Sequence, residues 1–253
     1  MTLTTLAPRV ATFGLVLVRC TGLFLMIPTV GGEVVPVRLR GALAAIIALA
    51  LGSLVQPRPV WAPVDLVAAA VGELLLGAAM GLVVRLLLSA AEMAGELVGL
   101  QIGLGFAQIV DPLSRESSPV TGRLNSLLAV LLFLALDGHR TAVAGLAASL
   151  RDAPPGAVLA RLSHLEVLVP LLGTACRTAV HMAAPLILAL YLVNAGLGLL
   201  ARAAPQLNLF VLSFGITVSV GLLVLAVSAR PSLTVLAGGL QRLAEQMGAL
   251  VGG

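Results

Sequence analysis

The residues able to do chemistry are few, and most sit in apolar surroundings. The three histidines, His139, His164 and His181, have no spacing that would place two of them on one metal. Asp137 and His139 flank a glycine, and Asp137-Gly138-His139-Arg140 reads as a turn rather than a ligand pair. There is no Gly-rich Walker loop, no His-Glu-x-x-His and no Gly-x-Ser-x-Gly. Neither nucleotide hydrolysis through such a loop nor the corresponding peptidase and esterase chemistries are therefore expected. Cys20 and Cys176 both lie inside apolar runs and read as small buried hydrophobes. No catalytic residue, no metal and no cofactor is expected, and the chain does not read as an enzyme.

The charges inside apolar segments carry more information. At about 100° per residue, Arg85, Ser89, Glu92, Glu96, Gly99 and Gly103 fall within about 40° of one line down a helix. Gly77, Gly81, Gly95 and Gly99 add small-xxx-small spacing close by. Two readings stand. In one, the line is a helix-packing face where glycines let backbones approach and charges pair across. In the other, it borders a polar conduit or a subunit contact. Glu92 and Glu96 are four apart and repel at that spacing, so they need arginine partners or water, not lipid. A second, weaker polar stripe comprises Arg177, His181, Tyr191 and Asn194, with Pro185 between its members. Intramembrane polar groups are candidates for function, and an internal pair of Arg177 with a glutamate is an equal alternative.

These residues must be positioned by membrane helices. Of 253 residues, 59% are hydrophobic and 10% charged, against roughly a quarter charged in soluble domains. Mean hydropathy is +1.10. The isoelectric point of about 10.4 does not indicate nucleic acid, because the arginines are scattered singly between apolar runs. Arg19 interrupts the run at 10–27 and no convincing small-residue cleavage site follows, so that run is expected to stay in the mature protein. Residues 203–229 carry no charge and make the clearest spanning candidate. Residues 167–201 would reach about 50 Å as one helix, well past a hydrocarbon core of about 30 Å, unless Pro185 kinks them. By contrast, 41–55 and 124–136 are short for a span, while the segment from Val64 stays helical in pattern past Gly99. The expectation is an all-α membrane protein with about six hydrophobic segments of uneven length. At 95–119 a glycine-flanked apolar stretch runs into Asp111-Pro112, which fits a re-entrant loop or a plain helix end and loop equally.

Several stretches together resemble the FliR family of the type III protein-export apparatus. They are Gly95-Glu96-Leu97-Val98-Gly99-Leu100-Gln101-Ile102-Gly103-Leu104-Gly105-Phe106 with Val110-Asp111-Pro112, then Leu131-Leu132-Phe133-Leu134, and Asp137-Gly138-His139 where the family more often has Asn-Gly-His. The match resumes at Asn194-Ala195-Gly196-Leu197-Gly198-Leu199-Leu200-Ala201-Arg202, Ala204-Pro205-Gln206-Leu207-Asn208 and Phe210. The pieces run in order over nearly the whole chain.

The resemblance implies a single export-gate domain over 1–253, built of helical hairpins with non-standard topology. Residues 1–140 would be a FliP-like portion and 141–253 a FliQ-like one. It implies a structural and gating subunit of the flagellar export channel in the bacterial inner membrane, at the basal body. Its partners would be FliP-like, FliQ-like and FlhB-like subunits, unfolded export substrates and membrane lipid, with no nucleic acid. The family's pore plug would fall at 103–119, on Gly103, Leu104, Gly105, Phe106, Ile109, Val110, Asp111 and Pro112. Ile102 and Gly105 stand where the family more usually has Met and Ser, which would alter the plug's packing. Two rivals follow: an injectisome subunit of the SctT type, and a small-solute transporter with a midplane site at Arg177, His181 and Asn194.

Overall fold

The computed structural model describes residues 3–27, 35–57, 62–103, 120–157, 166, 168–203 and 209–251. Among these residues there are eight helices and no strand. They are α1 (Leu3–Met26), α2 (Val37–Gly52), α3 (Pro63–Ile102), α4 (Val120–Ala135), α5 (Gly138–Asp152), α6 (Leu168–Ala203), α7 (Leu209–Gln241) and α8 (Leu243–Ala249). This is the all-α membrane protein that the composition requires. Among the described residues, three stretches are long and apolar enough to cross a bilayer: Ala7–Met26, Pro63–Ile102 and Leu168–Ala203. The number rises to five if the α4–α5 pair and α7 each count as one broken span.

The long helices form where the sequence offers good helix formers and nothing to stop them. Proline opens α3 at its first position, where its fixed φ suits a helix and its missing N–H costs nothing, and Asp65 complements the dipole in the same turn. The helix then runs for 40 residues, about 60 Å, through a series dominated by Leu, Ala, Val and Gly with no further proline. It stops at Gly103, whose φ of 87° is the left-handed conformation that ends helices and that glycine adopts without strain. In α6, Pro185 lies inside 36 continuous residues and does not end the helix. The charge-free run at 203–229 is placed differently from the sequence expectation. Helix α6 takes in Ala203, while α7 starts at Leu209 and continues twelve residues past Ala229, through Arg230, to Gln241.

The chain divides into two compact units that interleave in sequence. One comprises Met1–Leu86, Asp137–Leu172 and Leu240–Gly253; the other comprises Leu87–Leu136 and Gly173–Gly239. In the first, α2 packs on α1 through Ala44, Ala48 and Leu51, and α8 packs on α5. Glycines set the spacing between α1 and α3. A Cβ on Gly22 would lie 2.6 Å from the Leu74 carbonyl oxygen, and one on Gly77 would overlap the carbonyl of Arg19. The second unit has a core of Ala94, Val98 and Ile102 from α3 with Ala183, Leu186 and Leu190 from α6. Val218, Val224 and Leu225 of α7 pack against it, and Gly221 makes room for the Ile102 side chain.

Candidate functional site

The densest polar chemistry in the described residues lies within the first unit, around Arg19. Both Arg19 of α1 and Glu73 of α3 are completely buried. The guanidinium Nε donates to Glu73 Oε2 at 2.5 Å. One terminal nitrogen donates to the carbonyl of Ser149 at 3.0 Å and to its hydroxyl at 3.2 Å, and the other to the carbonyl of Ala153 at 3.0 Å. The second carboxylate oxygen of Glu73 accepts the backbone N–H of Gly156 at 2.8 Å. Arginine suits this place because its planar fork offers several donors at fixed angles, which a lysine ammonium cannot match. Glu73 and Gly77 are one turn apart on α3, so the glycine that admits the α1 backbone also brings Arg19 within reach of its partner.

The cluster adds hydrogen bonds at the end of α5, where the Ser149 carbonyl also accepts the Ala153 backbone N–H at 2.9 Å. The last carbonyls of a helix have no partner within it and carry the negative end of its dipole. Here the cation on α1 takes up carbonyls at the end of α5, and the anion on α3 takes up an amide of the turn that follows. Sequence reasoning missed this pairing: Arg19 read only as an interruption of an apolar run, and Glu73 lies off the stripe of Arg85, Ser89, Glu92 and Glu96 on α3. The usable signal was that the two are charges of opposite sign within apolar helices, and such charges need one another.

The stripe on α3 runs from exposed to buried. Arg85 is exposed, Ser89, Glu92 and Glu96 are half-buried, and Gly99 is buried. Glu96 lies along α4, where a Cβ on Gly122 would come within 2.9 Å of its Cγ. The Thr121 hydroxyl donates to the carbonyl of Gly95 at 2.7 Å, and a Cβ on Gly95 would sit 2.8 Å from the Cα of Gly122. Glycines at 95 and 122 thus allow α3 and α4 to touch backbone to backbone beside the two glutamates. Gly95→Leu is expected to force these helices apart at a cost of about 1–3 kcal/mol. A lowered thermal midpoint by circular dichroism would show it, with Gly173→Leu, where nothing lies within 4 Å, as the silent control.

The other expected residues are placed as follows. Gly103 ends α3, and a Cβ there would meet the Phe214 ring at 3.9 Å. Leu104, Gly105, Phe106, Ile109, Val110, Asp111 and Pro112 lie outside the described residues. Arg177, His181, Tyr191 and Asn194 are all exposed, while the buried side of α6 is Ala175, Ala179, Ala183, Leu186 and Leu190. They do not form one line, because at about 100° per residue Asn194 stands roughly 100° around the helix from Arg177. Asp137 takes a left-handed φ of 55° before α5, with His139 and Arg140 at 3.9 and 3.6 Å from its carboxylate. Asparagine and aspartate both tolerate that conformation, which accounts for Asp standing where the resembling proteins more often carry Asn.

One cavity of about 290 Å³ opens within the second unit, bordered by α3, α4, α6 and α7. Its lining is apolar apart from Asn125 and Ser232, and neither Arg177, His181 nor Asn194 takes part in it. A site for a polar solute needs convergent polar groups, which this lining does not provide. Nor do the described residues contain a group of three or more His, Cys, Asp or Glu side chains placed to hold a metal ion.

The family model described as "Bacterial export proteins, family 1" matches residues 10–243. The flagellar biosynthetic protein FliR of Escherichia coli (strain K12) is 34% identical over 213 residues, covering 83% of this chain and 81% of that protein. The protein of the same name from Aquifex aeolicus is 33% identical over 219 residues, covering 86% and 84%. That of Bacillus subtilis (strain 168) is 28% identical over 222 residues, covering 85% of each. With a family model matched over most of its length and relatives of this identity and coverage, the chain belongs to the FliR family of bacterial export proteins.

Proposed function

We propose that the chain is a structural and gating subunit of the flagellar type III protein-export channel, helping to form and close a pore for unfolded flagellar substrates. The observation that carries this reading is the family match over residues 10–243, together with relatives named for flagellar biosynthesis over four-fifths or more of both chains. Those names favour the flagellar system over an injectisome. The exposed apolar side chains fit a subunit that lipid or neighbouring subunits cover: Leu192 is 76% exposed, Val227 71% and Leu199 69%. On this reading the chain sits in the inner membrane at the basal body. FliP-like, FliQ-like and FlhB-like subunits are its neighbours, residues 1–140 being its FliP-like and 141–253 its FliQ-like portion. The segment 103–119 plugs the closed pore, and the left-handed glycine that ends α3 marks where the helix gives way to it.

Deleting the gene is expected to abolish swimming and filament assembly, with both restored by the wild-type copy; flagellated, motile deletion cells would overturn the proposal. The α3 stripe has its own test. Glu92→Arg reverses a charge on the face shared with Glu96 and is expected to reduce co-purification with FliP-like subunits while far-ultraviolet dichroism stays that of a folded helical chain. A complex of normal yield and composition would show that Glu92 makes no contact between subunits.

A further inference from the structure

Helix α5 has little of its own at its ends beyond the Ala153 N–H bond to the Ser149 carbonyl and Arg151 in its last turn. It has 15 residues, a length at which isolated helices are marginal in water. Its N-cap residue, Asp137, makes no side-chain cap hydrogen bond. At its other end, the carbonyls of Ser149 and Ala153 are taken up by Arg19, 130 and 134 residues upstream in sequence. The turn beyond is tied by the Gly156 N–H to Glu73, 83 residues upstream. Arg19 and Glu73 reach these positions only because Gly22 and Gly77 let α1 and α3 meet at backbone distance.

We propose that α5 is a conditional helix, ordered only while α1 and α3 are closed on each other, with Arg19 and Glu73 as the coupling between the two events. Polarity is fixed in this arrangement. The α1 side must present donors to carbonyls, and the α3 side must present an acceptor to an amide. A simple buried ion pair has no such direction and survives reversal. Helix α8 follows α5, since Met247 packs on Gly145 with its Cε 3.1 Å from where a Cβ would be. Parting α1 from α3 therefore releases α5, the turn at 153–157 and α8 together, while α4 is not involved.

Hydrogen–deuterium exchange on the full chain in detergent tests this with variants that act at different places. Gly77→Ala loosens the α1–α3 contact without touching α5. Amides of α1, α3 and also of 138–157 are expected to exchange faster, those of α5 by roughly tenfold or more, with α4 at the wild-type rate. Arg19→Met is expected to speed exchange at 146–157 in the same way. If Gly77→Ala loosens α1 and α3 while α5 keeps wild-type protection, the coupling is refuted. If Gly77→Ala loosens nothing, Arg19→Met decides: wild-type exchange at 146–157 refutes the coupling and faster exchange there supports it. A uniform rise over every helix means general unfolding, and it too refutes the local coupling. The reversed pair Arg19→Glu with Glu73→Arg should leave 146–157 unprotected; full protection in that double variant would reduce the cluster to an ordinary ion pair and overturn the proposal.

Discussion

Removing one partner of the Arg19–Glu73 pair, by Glu73→Ala, is expected to cost about 3–5 kcal/mol of stability, because it strands a guanidinium that no water reaches. For a chain of this size that is a fall of roughly 6–20 °C in thermal midpoint, measured by circular dichroism in detergent. Removing both charges, by Arg19→Met with Glu73→Leu, should recover only part of the loss. The stranded charge has gone, but the Ala153 carbonyl and the Gly156 amide have lost the partners they had in the wild type, and the Ser149 carbonyl keeps only its bond from the Ala153 N–H. A double variant as stable as the wild type would show that these three hydrogen bonds contribute little. A Glu73→Ala protein that melts within 2 °C of wild type would show that water reaches the pair, against its complete burial.

The second large effect is expected in the segment assigned to the plug. Deleting 104–110 should leave the complex assembled, because the described packing of α3 on α4 rests on Gly95, Thr121 and Gly122 outside the deletion. Cells carrying it should leak ions and small solutes, read as loss of membrane potential or uptake of a dye that intact cells exclude. Leakage requires the complex, so the same deletion combined with loss of a FliP-like subunit should restore the barrier. Wild-type permeability in cells whose complex is intact would remove the plug assignment and leave the family membership untouched.

How much of this was legible in the sequence depended on distance along the chain. The persistence of α3 past Gly99 was readable, because Leu, Ala, Val and Gly without proline leave a helix no reason to stop. The break at Asp137 was readable because Asp-Gly is a turn dipeptide, and the structure shows a left-handed φ there. Gly95 was singled out for close approach by its spacing, although spacing could not say that α4 is what approaches. The start of α7 was misplaced because an uncharged run has no internal mark for where one helix ends and the next begins. The Arg19–Glu73 pair was invisible for a different reason. Its members are 54 residues apart on separate helices, and periodicity reports faces within a helix, never partners between helices.

The guanidinium in α1 also bears on how the chain is made. An arginine in a nascent apolar helix is penalised by up to about 2.5–3.5 kcal/mol, the value at the helix centre, and Arg19 lies in the second half of α1. Glu73 leaves the ribosome 54 residues later, which at about 5–20 residues per second is roughly 3–11 s. Ser149 follows 130 residues after Arg19, roughly 7–26 s behind it. For the first of these intervals α1 is without the carboxylate that pairs with Arg19 in the folded chain, and for the second it is without the carbonyls at the end of α5. The polar shell of this guanidinium is therefore complete only after α3 and then α5 have been translated.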